Sequence, residues 1–77
     1  MPDDGVRGKD PYLVALGARL RALRLARGLS QDELAARAGM HRTHPTKLEN
    51  GLIDPRLSTL RRVAEVLDVP VAELLSG

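Results

Sequence analysis

Residues 30–51, SQDELAARAGMHRTHPTKLENG, contain two short helical segments separated by a tight turn. Ser30 can cap the first segment, and Glu33, three residues later, can accept a hydrogen bond from the N–H of the cap, which completes a capping box. Gly39 can adopt the left-handed backbone conformation that commonly ends a helix. The second segment ends near Glu49. The apolar positions of the first segment recur at helical spacing and are Leu34, Ala35 and Ala38.

Two helices joined by so short a turn should cross at a steep angle, which lets the second helix enter the major groove of double-stranded DNA. The charge of the chain favours the same partner. The net charge is only +2, but ten of the twelve basic residues are arginines, whose guanidinium groups suit phosphates and guanine edges. Four of them crowd one predicted helix: Arg19, Arg21, Arg24 and Arg27. For any single arginine, exposure on a solvated helix face is the simpler explanation. Together with the predicted helix pair, however, the cluster favours a nucleic-acid partner.

The composition indicates one small domain with an aliphatic core and excludes several kinds of site. With 77 residues, the core is small, and the absence of cysteine excludes disulfides and thiolate zinc sites, which fits a cytoplasmic protein. No apolar run is long enough to span a bilayer, so we expect no membrane partner. Tyr12 is the only aromatic residue, so the chain lacks the stacking platform of single-strand binders.

The pattern along the chain predicts an all-α, compact five-helix bundle over residues 11–77, preceded by a disordered lead at residues 1–10. No segment alternates with period two, so no strand is expected. The predicted boundaries follow from capping and breaking residues. Helix one starts at Asp10-Pro11 and ends at Arg27-Gly28, helix two covers Gln31 to Ala38, helix three ends near Glu49, Ser58 caps helix four, Asp68-Val69-Pro70 breaks the chain, and helix five covers Val71 to Leu75.

The chain resembles the Xre/Cro family of phage-repressor-type, lambda-repressor-like helix-turn-helix DNA-binding domains from Leu16 to about Leu75. The matching segments are R-x-x-R-G-L-S-Q-D-E-L-A at Arg24 to Ala35, Gly39, L-E-N-G at Leu48 to Gly51, and V-P-V-A-E-L-L at Val69 to Leu75. In length and simplicity the chain is similar to the small controller proteins of restriction–modification systems, and to certain antitoxins.

The resemblance implies three groups of residues. The base-reading positions would be Arg42, Thr43, Thr46 and Lys47. The phosphate contacts would be Gln31, which would also brace the recognition helix, His44 and Asn50. We expect Arg56 to join them, and we expect Arg56, Arg61 or Arg62 to offset the charge of Asp54. Arg24 and Glu49 would form an ion pair between helices one and three, which we expect to be buried rather than exposed.

Pro45 departs from the family pattern, which usually has a branched apolar residue at this position. If His41 capped the third helix, Pro45 would lack the N–H that makes the first intrahelical bond. If Thr43 were the cap, Pro45 would occupy the second helical position, where no hydrogen bond is lost. We therefore predict that the recognition helix starts about two residues late, with Arg42 and Thr43 presented from the turn.

The function predicted from these features is a sequence-specific transcriptional regulator that binds double-stranded DNA as a homodimer, because one small domain contacts few base pairs. The expected dimer surface consists of Leu52, Ile53, Val69, Val71, Leu74 and Leu75. The alternative is an antitoxin-like or other protein-interaction module on the same fold. No catalytic group is expected, since the serines serve better as caps. No metal is expected, since His41 and His44 lack a third ligand. No cofactor is expected, and no small-molecule effector either, since the sequence predicts no separate effector domain.

Overall fold

The computed structural model describes residues 10–76, and they form an all-α bundle, which confirms the predicted fold class. The helices are α1 (Pro11–Ala26), α2 (Gln31–Ala38), α3 (His44–Glu49), α4 (Leu57–Leu67) and α5 (Val71–Leu75), with no strand in the described part of the chain. The predicted lead at residues 1–10 lies outside the described residues, apart from Asp10. Over residues 10–76, no helix has the length and apolar character needed to cross a membrane.

The helices pack around one aliphatic core. Helix α1 crosses α3, α2 packs against both α3 and α4, and α5 closes the bundle between α1 and α4. The most deeply buried side chains are Leu20, Leu34, Val63, Leu67 and Leu74. Leu74 had been predicted at a dimer surface, but its side chain is 1 % exposed. This prediction was wrong because α5 is short and uses Leu74 to close the core of the single chain.

The ends of α1 and α2 form as the sequence predicts. The Asp10 carboxylate accepts hydrogen bonds from the N–H groups of Tyr12 at 2.9 Å and Leu13 at 3.4 Å. At α2, the Ser30 hydroxyl accepts from the N–H of Glu33 at 3.0 Å, while the Glu33 carboxylate accepts from the N–H of Ser30 at 2.8 Å. These bonds satisfy backbone donors that have no partner within the helix, and so they fix where each helix begins.

The capping box makes the stability of the fold depend on pH. The hydrogen bonds with Ser30 lower the pKa of the Glu33 carboxyl in the folded chain. The stabilisation is therefore present above the ordinary carboxyl pKa of about 4.3 and is lost as the pH falls through the lower folded value. We expect the difference in unfolding free energy between the wild type and Glu33→Gln to shrink from pH 6 to pH 3 in urea titrations. A difference that stays constant over this range would contradict the assignment.

Helix α4 begins two residues earlier than the sequence predicts. Arg56 occupies the cap position, because its carbonyl already accepts the first helical hydrogen bond from the N–H of Leu60 at 3.1 Å. Ser58 is then the second helical residue and does not cap the helix with its side chain. The apolar residues of α4 recur at helical spacing and are buried, but this spacing carries no information about where the first turn begins.

Helix α3 confirms the late start that Pro45 predicts. Thr43 is the cap residue and Pro45 is the second helical residue, fully buried, where its missing N–H deletes no helical bond. The chemistry of the cap differs from the expectation, since the Thr43 side chain makes no capping bond to α3. Instead, Nδ1 of His41 lies 2.9 Å from the Thr43 hydroxyl and accepts from the Thr43 N–H at 3.2 Å. The His41 side chain therefore braces the turn before α3.

Two glycines allow α1 to approach the backbone of α3 closely. A Cβ atom on Gly17 would lie 2.5 Å from the carbonyl oxygens of both Leu48 and Glu49. Gly51, with φ of +69°, has no room for a Cβ either, since that atom would lie 3.0 Å from the backbone of Val14. The last turn of α3 is thereby held directly against α1. Sequence reasoning overlooked Gly17 because a glycine inside a helical pattern suggests only a weakened helix.

Candidate nucleic-acid interface

The short helix α3 has one anchored face and one open face. Its buried residues are Pro45, Leu48 and Glu49. The four positions predicted to read bases, Arg42, Thr43, Thr46 and Lys47, are all exposed, the first two in the turn and the last two on the helix. Six residues are too few for an isolated helix to be stable in water, so the anchored face determines how the open face is presented.

The principal polar anchor of α3 is a buried ion pair with α1. Nε of Arg24 donates to Oε2 of Glu49 at 2.6 Å and Nη2 donates to Oε1 at 3.0 Å, a two-pronged contact. Nη1 of Arg24 also donates to the carbonyl oxygen of Leu29 at 2.7 Å. The hydrogen bond with Glu49 raises the pKa of the guanidinium above its ordinary value, against the effect of burial. The pair lies inside the protein, with side chains 8 % and 2 % exposed, so it ties α1, the following loop and α3 together.

A hydrogen-bonded chain leads from this ion pair to the surface. Nε2 of Gln31, the first residue of α2, donates to Oε1 of Glu49 at 3.1 Å. The hydroxyl of Thr46 then donates to Oε1 of Gln31 at 2.7 Å. Gln31 therefore braces α3, and its partially buried amide lies beside the exposed Thr46. The sequence offered one signal for this contact, because Thr46 and Glu49 are three residues apart and so share a side of the helix.

The structure does not support His44 as a phosphate ligand through its outer ring nitrogen. Nε2 of His44 is buried and has no hydrogen-bond partner among the described residues. The prediction relied on an exposed ring, but the delayed start of α3 makes His44 its first residue and turns that nitrogen inward. The other expected phosphate contacts, Asn50 and Arg56, are exposed at the two ends of the loop after α3, with Asp54 exposed between them.

The arginines of α1 do not form one DNA-facing surface. Arg24 is buried in its ion pair, and Arg19 donates through Nε to the carbonyl oxygen of Ser76 at 2.6 Å. A guanidinium nitrogen of Arg27 lies 3.7 Å from the carboxylate of Asp68, an exposed contact of small energy. The arginines of α1 and its cap residue Arg27 thus point in different directions. Arg19, Arg24 and Arg27 connect the helix to the rest of the bundle.

The apolar residues considered for dimerisation differ widely in exposure. Leu52 and Leu75 are 47 % and 58 % exposed, Ile53, Val69 and Val71 are partly buried against the core, and Leu74 is buried. Leu75 borders an apolar groove of about 310 Å³ between the start of α1, the loop before α4 and the end of α5. Tyr12, on the other side of this groove, is 85 % exposed.

Comparison with known proteins identifies the class of this arrangement. Residues 15–76 match the family described as a helix-turn-helix domain. The crystal structure of the restriction–modification controller protein C.AhdI from Aeromonas hydrophila is 40 % identical, with a TM-score of 0.79, over 80 % of this chain and 94 % of that one. The structure of the biofilm regulator SinR in complex with DNA is 35 % identical, with a TM-score of 0.75, over 79 % of this chain and 98 % of that one.

Similarity to curated proteins extends to phage repressors. The cryptic phage CTXphi transcriptional repressor RstR of Vibrio cholerae is 36 % identical over 59 residues, which is 77 % of this chain and 53 % of that protein. The immunity repressor of Bacillus phage phi105 is 34 % identical over 80 % of this chain. The chain spans only 27 % to 53 % of the length of the first three curated relatives. The predicted resemblance is confirmed, and the chain belongs to the helix-turn-helix domain family, with the fold of phage repressors and HTH-type transcriptional regulators.

Proposed function

We propose that the protein is a sequence-specific transcriptional regulator that places α3 in the major groove of double-stranded DNA. The observation that carries this proposal is the two-sided character of α3. Its exposed positions, at 42, 43, 46 and 47, carry cationic and hydroxyl groups, while the opposite side is held by a buried ion pair. Arg42 suits the O6 and N7 atoms of guanine, which a guanidinium binds with two parallel hydrogen bonds.

The residues around α3 suit the sugar–phosphate backbone. Gln31 lies at the N-terminus of α2, where the free N–H groups and the helix dipole favour a phosphate. Asn50 and Arg56 lie exposed beyond α3 and are the other proposed phosphate contacts. Phosphate contacts fix the register of the protein on the duplex, and base contacts give the sequence preference.

We further propose that the protein acts in the cytoplasm as a homodimer, without a small-molecule effector. A single α3 reaches few base pairs, and two copies related by a two-fold axis would double the site, with half-sites about one helical turn apart. The exposed Leu52 and Leu75, with the partly buried Ile53, Val69 and Val71, are the proposed contact residues. Sedimentation equilibrium at micromolar concentration, alone and with a selected duplex, tests this arrangement.

Substitutions at the two kinds of contact should have different effects on binding. A duplex sequence is first selected from a random oligonucleotide pool. Arg42→Ala should then reduce the preference for guanine at one position by about 5- to 100-fold, since a good paired contact contributes about 1–3 kcal/mol of discrimination. Gln31→Ala should weaken binding overall and leave the preference for guanine at the Arg42 position unchanged. Fluorescence anisotropy on duplexes substituted at each position measures both. Loss of affinity in both variants without any change of preference would contradict the assignment.

The second candidate function is a protein-interaction module on the same fold. The exposed Asp54 favours it, because an acid in the loop after α3 repels phosphate. The dependence of binding on salt separates the two candidates. A protein that binds in the groove and neutralises several phosphates loses affinity steeply as salt rises. The slope of log K against log salt concentration is negative and close in size to the number of phosphates contacted. No binding to duplex DNA near 50 mM salt would favour the protein partner.

A further inference from the structure

We propose that the buried Glu49 carboxylate fixes the direction of the hydrogen bonds at the DNA-facing surface, so that Thr46 can only accept a hydrogen bond from a base. The consequence is that the base contacted by Thr46, on whichever strand carries it, is adenine or cytosine rather than guanine or thymine. This inference rests on the proposed function, and it assigns one element of sequence specificity to a buried ion pair that touches no DNA. Glu49 acts here as a positioning residue.

The direction of the chain is set at its buried end. Arg24 carries only donors, and both oxygens of the Glu49 carboxylate accept hydrogen bonds from it, at 2.6 and 3.0 Å. Any group that hydrogen-bonds to Oε1 of Glu49 must therefore be a donor. Gln31 meets this oxygen at 3.1 Å, so it must present its amide nitrogen. The two ends of the Gln31 amide are thus distinguished by chemistry, and its carbonyl oxygen has to point the other way.

The same matching of donors to acceptors applies to the contact between Gln31 and Thr46 at the surface. Oε1 of Gln31 is only an acceptor, so the Thr46 hydroxyl, 2.7 Å away, must donate to it. A hydroxyl has one hydrogen, and here it is used within the protein. The Thr46 oxygen therefore offers only lone pairs to a ligand. The amide of Gln31, by contrast, retains a second N–H that meets no acceptor in the described part of the chain.

The Thr46 oxygen and the remaining N–H of Gln31 suit different parts of DNA. Phosphate oxygens, guanine O6 and N7, and thymine O4 are all acceptors, so none of them can bind the Thr46 oxygen. The major-groove donors are the amino groups N6 of adenine and N4 of cytosine. Thr46 therefore favours these two bases. The remaining N–H of Gln31 favours a phosphate oxygen, which gives affinity without sequence preference.

The experiment measures base preference at every position of the selected half-site for the wild type, Thr46→Ser and Thr46→Val. Valine keeps the shape of threonine and its methyl group, and it has a second methyl group in place of the hydroxyl. We expect one position at which the wild type and Thr46→Ser prefer adenine or cytosine by roughly 3- to 10-fold, and at which Thr46→Val has no preference. Replacing that adenine by purine, or that cytosine by 2-pyrimidinone, removes only the amino group. It should weaken wild-type binding by the same factor and leave Thr46→Val unaffected.

The outcomes separate this inference from the proposed function. If a position responds to Thr46→Val but removing the adenine or cytosine amino group there leaves wild-type binding unchanged, the hydroxyl is donating to guanine or thymine, and the inference is overturned. A thymine preference that survives in Thr46→Val would indicate a methyl contact and would also overturn it. If Arg42→Ala alters the preference and no position responds to Thr46, only this inference fails. If the random pool gives no preferred sequence, the proposed function and the inference fail together.

Discussion

Replacing Glu49 with alanine should destabilise the protein by about 3–5 kcal/mol, a large share of the roughly 5–15 kcal/mol available to a small domain. The truncation leaves the Arg24 guanidinium buried, with Nε and Nη2 deprived of their acceptors, and it removes the acceptor for Gln31. An uncompensated buried cation is far more costly than the loss of a surface ion pair. Urea titration at pH 7 gives the free energy of unfolding.

A double substitution provides the control for this prediction. Arg24→Met with Glu49→Leu removes both charges and keeps apolar volume, so it should recover most of the loss, because buried pairs often contribute little beyond an apolar replacement. Glu49→Gln keeps the shape but removes the charge and replaces one acceptor oxygen by a donor NH₂ group, so it should recover little of the loss. If Glu49→Ala lowered the free energy of unfolding by less than about 1 kcal/mol, the Arg24–Glu49 pair would contribute no more than an exposed ion pair does. That result would contradict the prediction.

Replacing Gly17 with alanine should also destabilise the protein, by about 1–3 kcal/mol, although alanine is the better helix former by about 1 kcal/mol. The new Cβ would lie 2.5 Å from the backbone carbonyl oxygens of Leu48 and Glu49, and neither is a side chain that can rotate away. Helices α1 and α3 must therefore separate. Because α3 is held against α1 at this point, affinity for a selected duplex should fall as well.

The matched control is Ala18→Gly at the neighbouring, exposed position of α1. It should cost about 0.5–1 kcal/mol through helix propensity alone and leave DNA affinity unchanged. Thermal unfolding followed by circular dichroism, together with anisotropy on the selected duplex, measures both effects. A rise in Tm for Gly17→Ala would show that α1 and α3 are not in close backbone contact.

Features that depend on neighbouring residues in the sequence could be predicted, and those that depend on distant residues mostly could not. The bounds of α2 and α5 and the late start of α3 follow from caps, breakers and the missing N–H of Pro45, which act within one turn of helix. The exposure of the four base-reading positions follows from where α3 begins, because that start decides which side of the helix each residue occupies. The start of α4 and the capping bond of Thr43 failed at this level, because a serine or threonine near a first turn does not by itself establish that its side chain caps the helix.

Apart from the Arg24–Glu49 ion pair, which the family resemblance implied, the contacts between helices needed the three-dimensional arrangement. A glycine inside a helical pattern does not reveal that another backbone lies against it, so Gly17 could not be distinguished from a weak position in α1. Leu74 illustrates the same limit, since an apolar residue on a terminal helix can face the core or a partner subunit. The contact between Gln31 and Thr46 joins two helices, and spacing along one helix suggests only half of it.

The division of α3 into an anchored side and an open side has a consequence for engineering. Variants retargeted to other operators could exchange the residues at 42 and 47 freely, because neither side chain is part of the internal framework. Position 46 is different, since a residue introduced there must also satisfy the glutamine beside it. Libraries built to alter recognition should therefore vary positions 31 and 46 jointly, as one unit.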